Sequence, residues 1–348
     1  MKTLKHLINT TLAFSLFFAA CSHKSDVKPV KTDTLPKYVQ TANVYVAGST
    51  YDSVTYVRQA AYWKNGVATI LTNGTKNAAA NAITVNGNDV YTAGYTTDAN
   101  GAYIATYWKN GVQVNLTTNA VNASAGSIAV DGNDVYITGF IESSAVYWKN
   151  GQRVTLSLLS DKNSGSTAGI AIQGSDIYIS GYQLGAGGAS TVYWKNSVPT
   201  KLPNDVGSYA GKNIAFQDGH MYIPATYNLV SAKPIPNYWI DDTPVSVADG
   251  TTAINTIEIA VSGADVYLAC LTAKGAGYFK NKKLTLLPGD YTEVTGIKVQ
   301  DNDVYTSGQS THDKKSVATF WKNGVPVYLS SSIGKGGFAS SIVVTPLK

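Results

Sequence analysis

The stretch Tyr62-Trp63-Lys64-Asn65-Gly66 decides the fold, because it is the first of seven related copies along the chain of 348 residues. The later copies are Tyr107-Trp108-Lys109-Asn110-Gly111, Tyr147-Trp148-Lys149-Asn150-Gly151, Tyr193-Trp194-Lys195-Asn196-Ser197, Tyr238-Trp239-Ile240-Asp241-Asp242, Tyr278-Phe279-Lys280-Asn281-Lys282 and Phe320-Trp321-Lys322-Asn323-Gly324. The tryptophans, with Phe279 in the sixth place, are 45, 40, 46, 45, 40 and 42 residues apart. Repeats of about 40–45 residues are typical of four-stranded propeller blades. The sequence therefore predicts an all-β, seven-bladed β-propeller.

Each repeat contains four strand signals in a fixed order. An alternating segment such as Ile83-Thr84-Val85 comes first, and a second such as Asp89-Val90-Tyr91 follows a turn. The third strand carries the Tyr-Trp pair. Asn-Gly then supplies the positive φ angles of a tight hairpin into the fourth strand. β-branched and aromatic residues at a period of two favour strands throughout.

The two chain ends predict how the ring closes. Val44-Tyr45 matches the second strand of a repeat that has no first strand before it, and Ile342-Val343-Val344 matches a first strand with nothing after it. We expect the C-terminal strand to complete the N-terminal blade, which removes an open sheet edge. The predicted propeller spans residues 41–348.

Residues 1–20 have the pattern of a secretory signal peptide. Lys2 and Lys5 precede a mostly apolar stretch from Leu7 to Ala20, which is shorter than the roughly 20 residues of a membrane-spanning helix. Cys21 follows directly, an arrangement that resembles the lipobox of bacterial lipoproteins. We expect cleavage before Cys21 and its acylation, which makes the membrane a partner. The alternative is an ordinary cleaved signal with a chance cysteine.

Residues 21–40 are predicted to form a lipidated, flexible tether, because the segment is polar and contains Pro29 and Pro36. The net charge is +5, and removal of Lys2 and Lys5 with the signal peptide leaves +3. The basic residues are scattered along the chain, so we expect no nucleic-acid partner. With 44% hydrophobic residues, the chain is neither disordered nor fibrous.

The repeat resembles the Trp-Lys-Asn-Gly propeller repeats of bacterial surface lipoproteins, which are similar in style to the HAF repeats. The resemblance covers residues 41–348. It implies a secreted or surface propeller, and it carries no catalytic residues that could be transferred. We expect an outer-membrane lipoprotein of the bacterial cell envelope, periplasmic or surface-exposed, and a monomer. The departures at Ser197, Ile240 and Lys282 mark the blades from about 195 to 282 as divergent.

The search for catalytic chemistry is mostly negative. All six tryptophans and most tyrosines occupy repeat positions, which indicates blade packing. Outside the signal peptide the histidines are His23, His220 and His312, at unrelated positions, so we expect no metal site and no cofactor. Cys270 replaces a glycine of other repeats and is expected to be a small buried residue. One turn position carries aspartates that we expect to cap backbone amides rather than bind calcium: Asp89, Asp134, Asp176, Asp265 and Asp303.

Four polar residues stand out where other repeats have small ones. Just before the isoleucine of the first strand, the repeats carry Ala82, Ser127, Gly169, Asn213, Glu258, Gly296 and Ser341. Asn213 and Glu258 are the large polar members, Lys212 precedes Asn213, and Lys298 lies within its own first strand. We predict that Lys212, Asn213, Glu258 and Lys298 bind a ligand at the mouth of the central channel. The alternative is a solvated loop end.

A second candidate site lies on the face of the variable loops. The long segments 72–80, 95–104, 118–126 and 183–190 are predicted to lie on one face, where binding usually occurs on a rigid scaffold. Tyr95, Phe140 and Tyr182 follow the recurrent glycine of the second strand in three consecutive repeats. They are predicted to form a stacking platform for a sugar or peptide, with packing under their own loops as the alternative. Arg58 belongs to the same face.

Two classes of function stay open, because propellers host unrelated functions. The favoured class is a non-enzymatic binding or scaffold module for a glycan, a peptide or an envelope protein. The alternative is a polysaccharide hydrolase or lyase at the channel mouth, which needs two carboxyl groups roughly 5–10 Å apart. Glu258 and Glu293 are the plausible glutamate pair on adjacent blades.

Overall fold

The computed structural model describes residues 38–347 except 53, 119–120, 204–207, 228–235, 248–253 and 330–335. The predicted signal peptide, Cys21 and His23 lie outside the described residues. The described chain forms seven antiparallel sheets, which are the seven blades of a β-propeller. Nothing in these ranges forms a helix with the length and apolar character needed to cross a bilayer.

The strands of the first four blades follow one another along the chain. Blade 1 contains β1 (Ala42–Tyr51), β2 (Arg58–Lys64) and β3 (Val67–Ile70). Blade 2 contains β4 (Ala78–Asn86), β5 (Asp89–Thr97), β6 (Tyr103–Lys109) and β7 (Val112–Asn115). Blade 3 contains β8 (Ala123–Asp131), β9 (Asp134–Ile141), β10 (Ser144–Lys149) and β11 (Gln152–Thr155). Blade 4 contains β12 (Lys162–Gln173), β13 (Asp176–Gly185), β14 (Gly188–Lys195) and β15 (Val198–Lys201).

The last three blades continue the order and return the chain to blade 1. Blade 5 contains β16 (Ser208–Ala210), β17 (Ala215–Gln217), β18 (His220–Tyr227), β19 (Pro236–Ile240) and β20 (Thr243–Ser246). Blade 6 contains β21 (Ile254–Ser262), β22 (Asp265–Thr272), β23 (Gly275–Lys280) and β24 (Lys283–Leu286). Blade 7 contains β25 (Asp290–Gln300), β26 (Asp303–His312), β27 (Lys315–Lys322) and β28 (Val325–Tyr328). The final strand, β29 (Gly337–Pro346), is the inner strand of blade 1.

The predicted closure of the ring is confirmed. β29 pairs antiparallel with β1 in a register that runs from Ala42 opposite Pro346 to Thr50 opposite Gly337. Blade 1 therefore combines both ends of the described chain in one sheet. Tyr38, within the segment predicted as tether, packs edge-on against Phe320 of blade 7 at 5.5 Å between ring centroids.

The core lies between neighbouring blades rather than inside each sheet. Trp108 of blade 2, for example, packs with Tyr45 and Ala47 of blade 1 and with Ile83 of its own blade. All six tryptophans are almost fully buried. The indole of Trp194 also donates a hydrogen bond of 2.7 Å to the carbonyl oxygen of Ser157, in the segment that leads into its blade. The aromatic residue at this repeat position, Trp in six blades and Phe279 in blade 6, therefore packs each blade against the one before it.

The Lys-Asn-Gly part of the repeat builds a polar contact on the face of the short turns, called here the turn face. In blade 2 the side chain of Asn110 accepts a hydrogen bond from Val90 N and donates one to Asp89, both at 2.8 Å. Lys109 Nζ lies 3.0 Å from Asp89 Oδ2 and 5.2 Å from the ring centre of Tyr91. The expected role of the aspartate was wrong in detail. The asparagine caps the backbone amide, and the aspartate accepts a hydrogen bond from the asparagine and forms an ion pair with the lysine.

The loop segments are shorter than the sequence predicts, because the second and third strands extend into them. β13 continues to Gly185 and β14 begins at Gly188, so most of segment 183–190 is a hairpin. β5 likewise reaches Thr97, and β6 begins at Tyr103. The face that carries these hairpins, called here the loop face, is opposite the turn face.

Blade 5 is the irregular blade. Its inner strand is interrupted between Ala210 and Ala215, and the two pieces pair separately with β18. Pro224 of β18 lies beside this interruption and has no N–H for a strand ladder. Its carbonyl oxygen instead accepts a hydrogen bond of 2.6 Å from Gly211 N. The break frees the backbone of Lys212, whose N–H donates to Ile257 of blade 6 at 2.7 Å.

Candidate functional site

The inner strands surround a central channel, and the four polar residues chosen from the sequence meet in it. A cavity of about 170 Å³ is lined by Lys212, Asn213, Glu258 and Lys298, together with Asn81 and with small, hydroxyl-bearing and apolar residues of the other inner strands. In blades 2, 3, 4, 6, 7 and 1 a β-bulge or register shift directly precedes the position equivalent to Asn213. A bulge re-aims the side chains beside it. The structure thus brings these four residues together, and ligand binding by them stays a prediction.

Asn213 and Glu258 perform the same task in adjacent blades. Asn213 Oδ1 accepts a hydrogen bond of 3.0 Å from Ile259 N, and Asn213 Nδ2 donates to the carbonyl oxygen of Ile259 at 2.7 Å. Glu258 Oε2 accepts from Ile297 N, the corresponding amide one blade further, at 3.2 Å. Both side chains therefore link neighbouring inner strands through hydrogen bonds, a role that the sequence did not indicate.

Two glycines make room for the side chains that form these hydrogen bonds. A Cβ atom on Gly169 would lie 2.4 Å from the Cα of Asn213, and one on Gly296 would lie 2.8 Å from Glu258 Oε2. Cβ contacts this close do not occur without movement of the neighbour. The small residues that flank Asn213 and Glu258 in the repeat alignment are thus part of the same arrangement.

Glu258 is neutralised by Lys298. The Glu258 side chain is almost fully buried, and its Oε1 lies 2.5 Å from Lys298 Nζ. Both carboxylate oxygens are therefore engaged, one by an ammonium group and one by a backbone amide. A partner of this kind compensates for removing the carboxylate from water.

Lys212 crosses the channel. It starts in blade 5, and its Nζ donates a hydrogen bond of 3.1 Å to the carbonyl oxygen of Ser340 in β29 of blade 1, three blades away around the ring. Lys212 is exposed to the lumen and lines the cavity. Desolvation by the channel wall lowers the pKa of Lys212, and the negative charge of Glu258 opposes this shift. The lysine thus places a solvent-accessible cation in the channel.

The channel continues from this cavity toward the turn face. A second segment of about 490 Å³ shares Thr84, Ile128 and Ile170 with the first and reaches Asp131 and Gly174. Asp131 ends the inner strand of blade 3, and Gly174 lies in the turn after the inner strand of blade 4. A small molecule therefore has a route to Lys212 from the turn face.

The three aromatic residues proposed as a platform have separate partners. Tyr95 stacks on Tyr103 of its own blade, with ring centroids 4.4 Å apart. Tyr182 packs edge-on against Tyr209 of blade 5 at 4.8 Å. Phe140 lies in β9 opposite Ser124 and Ala145. Tyr95 and Tyr182 thus contact different rings, and ligand binding by the three residues stays a prediction.

On the loop face, Tyr95 contacts Arg58 and Tyr103. The sequence indicated Arg58 only as a residue of this face and gave no signal for Tyr103. Arg58 Nη1 of blade 1 donates to the hydroxyl oxygen of Tyr95 at 3.2 Å. Tyr103, stacked on Tyr95, is 38% exposed. Tyr103 begins the third strand, outside the repeat positions, so only its contact with Tyr95 distinguishes it. We call Arg58, Tyr95 and Tyr103 the loop-face cluster.

The remaining candidates for chemistry are placed as follows. Glu293 lies in β25 opposite Gln309 and is not part of the lining that contains Glu258. The Cys270 thiol is fully buried, and burial raises its pKa to about 12, which removes the thiolate that a nucleophile needs. Within the described ranges, no group of three or more His, Cys, Asp or Glu side chains is arranged to hold a metal ion.

Comparisons with known proteins extend the fold assignment and nothing finer. No protein-family model matches the chain, and no curated protein matches it in sequence. The structure of TolB from Acinetobacter baumannii is similar, with a TM-score of 0.50 and 9% identity over 87% of this chain and 67% of that chain. A puromycin-hydrolyzing peptidase of Mycobacterium tuberculosis is similar at a TM-score of 0.58 and 11% identity, over 86% of this chain and 54% of the peptidase. The chain thus matches about half the length of that peptidase, and the likeness shows a shared propeller architecture.

Proposed function

We propose that this protein is a lipid-anchored, non-enzymatic binding module of the bacterial cell envelope, which takes a glycan, peptide or protein partner on its loop face. The resemblance of its repeat to that of surface lipoproteins and the position of Cys21 after an apolar leader support the location. A propeller fold supports many functions, so the argument for binding depends on the residues of the two faces.

The observation that carries the proposal is the contrast between the faces. On the turn face, aspartate and lysine pair with each other at 2.7–3.0 Å in blades 2, 3, 4, 6 and 7, so these charges are already satisfied. On the loop face, a guanidinium group and two stacked tyrosine rings lie together, and Tyr103 offers ring surface to solvent. An aromatic face beside a cation suits a sugar ring, in particular an acidic one.

A hydrolase or lyase at the channel is less well supported. Glu258 is the one carboxylate among the described residues that line the 170 Å³ cavity, and Lys298 and Ile297 N already occupy its oxygens. Acid–base cleavage of a glycosidic bond needs a second carboxyl group across the bond. Glu293 is not in the cavity lining, so the pair considered from the sequence does not share this pocket.

A thermal-shift screen of the full chain in detergent against neutral and acidic oligosaccharides tests the binding proposal. A ligand at about 100 times its Kd should stabilise the protein by about 2.7 kcal/mol. Arg58→Gln and Tyr103→Ala should abolish the shift, whereas Val112→Ser, at an exposed position beside the turn face, should retain it. A shift that survives both loop-face substitutions would contradict the site. Release of reducing ends that is lost in Glu258→Gln would replace binding with hydrolysis.

Membrane anchoring has its own test. In cells fed labelled palmitate, the full chain should incorporate the label and fractionate with the outer membrane. Cys21→Ser should remove both properties, while Cys270→Ser should leave both unchanged, because the Cys270 thiol is buried. Labelling that persists in Cys21→Ser would contradict the proposed anchor.

A further inference from the structure

We propose that the central channel is a second binding site, for a small monoanionic carboxylate held by the ammonium group of Lys212. This site is independent of the loop-face cluster, which is made by other residues on the surface of the ring. The argument uses the charges, the hydrogen bonds and the size of the 170 Å³ cavity.

The charges of the cavity do not cancel. The described residues that line it include two lysines and one glutamate. Lys298 and Glu258 neutralise each other through a contact of 2.5 Å. Lys212 Nζ has one hydrogen-bond partner among the described residues, the carbonyl oxygen of Ser340 at 3.1 Å, and a carbonyl group is not a counter-charge. One positive charge is therefore left over in the lumen.

An ammonium group carries three N–H donors, and Ser340 accepts from one of them. Two donors are therefore left for a ligand, and Thr84, Ser127 and Ser341 line the same cavity. The hydroxyl groups of these residues are further donors for an oxyanion. Each comes from a different blade, so a ligand at the centre is within reach of several inner strands at once.

The position of Lys212 disfavours its charged form. Desolvation by the channel wall lowers the pKa of Lys212, although the residue keeps accessible surface in the lumen. The negative charge of Glu258 raises this pKa by less than desolvation lowers it. A carboxylate beside Nζ would supply the missing counter-charge and favour the protonated amine.

The size and charge of the cavity select the class of ligand. A volume of 170 Å³ corresponds to about five or six water molecules at roughly 30 Å³ each, which suits a carboxylate with a few carbon atoms. A dianion such as phosphate would leave one negative charge without a counter-charge in the lumen. The absence of arginine from the described lining also disfavours planar, bidentate recognition of phosphate.

The test is calorimetric titration of the full chain in detergent with propionate, in a low-chloride buffer at constant ionic strength. Propionamide, which has nearly the same shape without the charge, is the matched ligand control. Phosphate is the dianion control. Lys212→Met keeps the length of the side chain and removes its charge, and Lys283→Met does the same at an exposed lysine of β24.

Propionate should bind the unmodified protein and Lys283→Met with equal affinity, and Lys212→Met at least tenfold more weakly. Across a pH series, binding should take up protons wherever free Lys212 is partly deprotonated, measured in buffers of different ionisation enthalpy, because the anion favours charged Lys212. This uptake should vanish in Lys212→Met. The thermal shift that oligosaccharide causes at the loop-face cluster should be the same in Lys212→Met as in the unmodified protein. The two binding proposals are therefore tested separately.

Several results would overturn the inference. Propionamide binding as tightly as propionate would show that charge is not recognised, and this comparison needs no variant if Lys212→Met fails to fold. Tighter binding of phosphate would replace the monoanion with a dianion. Unchanged affinity in Lys212→Met, or no binding of any small anion, would remove the site.

Discussion

In blade 5 the ring nitrogen Nδ1 of His220 lies 2.7 Å from Oδ2 of Asp241, and these two residues replace the aspartate and the asparagine of the other blades. Asp241 stands where the repeat has asparagine, and its Oδ1 accepts the hydrogen bond from Met221 N at 2.9 Å. His220 stands where the repeat has aspartate. The turn thus keeps its contacts although both residues have changed, and it alone couples a histidine to the capping side chain.

This exchange predicts a pH dependence. The hydrogen bond from Met221 N, followed by that from His220, lowers the pKa of Asp241. A lowered pKa stabilises the fold at pH values above the ordinary aspartate value near 3.9, and this contribution is lost as the pH falls through the folded-state pKa. Asp241→Asn should therefore cost under about 1 kcal/mol at pH 6, because the side chain is half-exposed.

Urea unfolding from pH 3 to pH 6 measures this effect. The difference in free energy of unfolding between the unmodified protein and Asp241→Asn should shrink toward the acid end. Asp242→Asn, the adjacent exposed aspartate, is the control and should shift little at any pH. A difference that grows on acidification would contradict the assigned sign.

The asparagine of Lys-Asn-Gly should contribute more to the stability of the fold than its exposed position suggests. Asn110 makes two side-chain hydrogen bonds and has a φ of 51°. Asn110→Ala should lower the free energy of unfolding by about 1–3 kcal/mol, because it leaves Val90 N without that acceptor and strains a left-handed residue. Asn110→Gly should recover the conformational part only. Gln113→Ala in the same hairpin should stay within about 0.5 kcal/mol of the parent in chemical unfolding.

Ring closure predicts a large effect at the C-terminus. Ile342 of β29 is almost fully buried beside Trp63 and Phe320, so Ile342→Ala should cost about 2–5 kcal/mol. Leu347→Ala, at a 49% exposed position, is the control. Deletion of residues 338–348 should unfold or aggregate the protein, as seen by size-exclusion chromatography and circular dichroism. A truncated chain that melts within a degree or two of the parent would refute the closure.

The Trp of the third strand and the glycine of the second strand are matched in size. A Cβ on Gly139 would lie 2.0 Å from the carbonyl oxygen of Ser124 and 3.0 Å from the indole of Trp148, so the inner strand and the Trp both crowd this position. Blade 6 has Cys270 at the glycine position and Phe279 at the tryptophan position. Phe279→Trp should therefore destabilise the protein by about 1–3 kcal/mol through overpacking, and Phe279→Trp with Cys270→Gly should recover part of the loss. Additive effects in this double-mutant cycle would contradict the size match.

Local sequence determined the blade count, the strand order and the way in which the ring closes. Each depends on short-range chemistry: a Trp every 40 to 46 residues, alternating strands, and Asn-Gly turns that require positive φ angles, as at Asn65 and Gly66. Lys212, Asn213, Glu258 and Lys298 could be selected because they depart from a repeat, and a repeat assigns equivalent positions to one ring around the channel.

Tertiary structure alone decided what these residues do. Glu258 pairs with Lys298 across 40 residues of sequence, and Asn213 forms hydrogen bonds with Ile259 across 46. Lys212 reaches Ser340, three blades away, across 128 residues. Arg58 likewise meets Tyr95 from the neighbouring blade. A repeat fixes which positions face the lumen, but side-chain length, neighbouring glycines and the break beside Pro224 fix which of them touch. These contacts between blades form only in the closed ring, so they cannot be deduced from any single repeat.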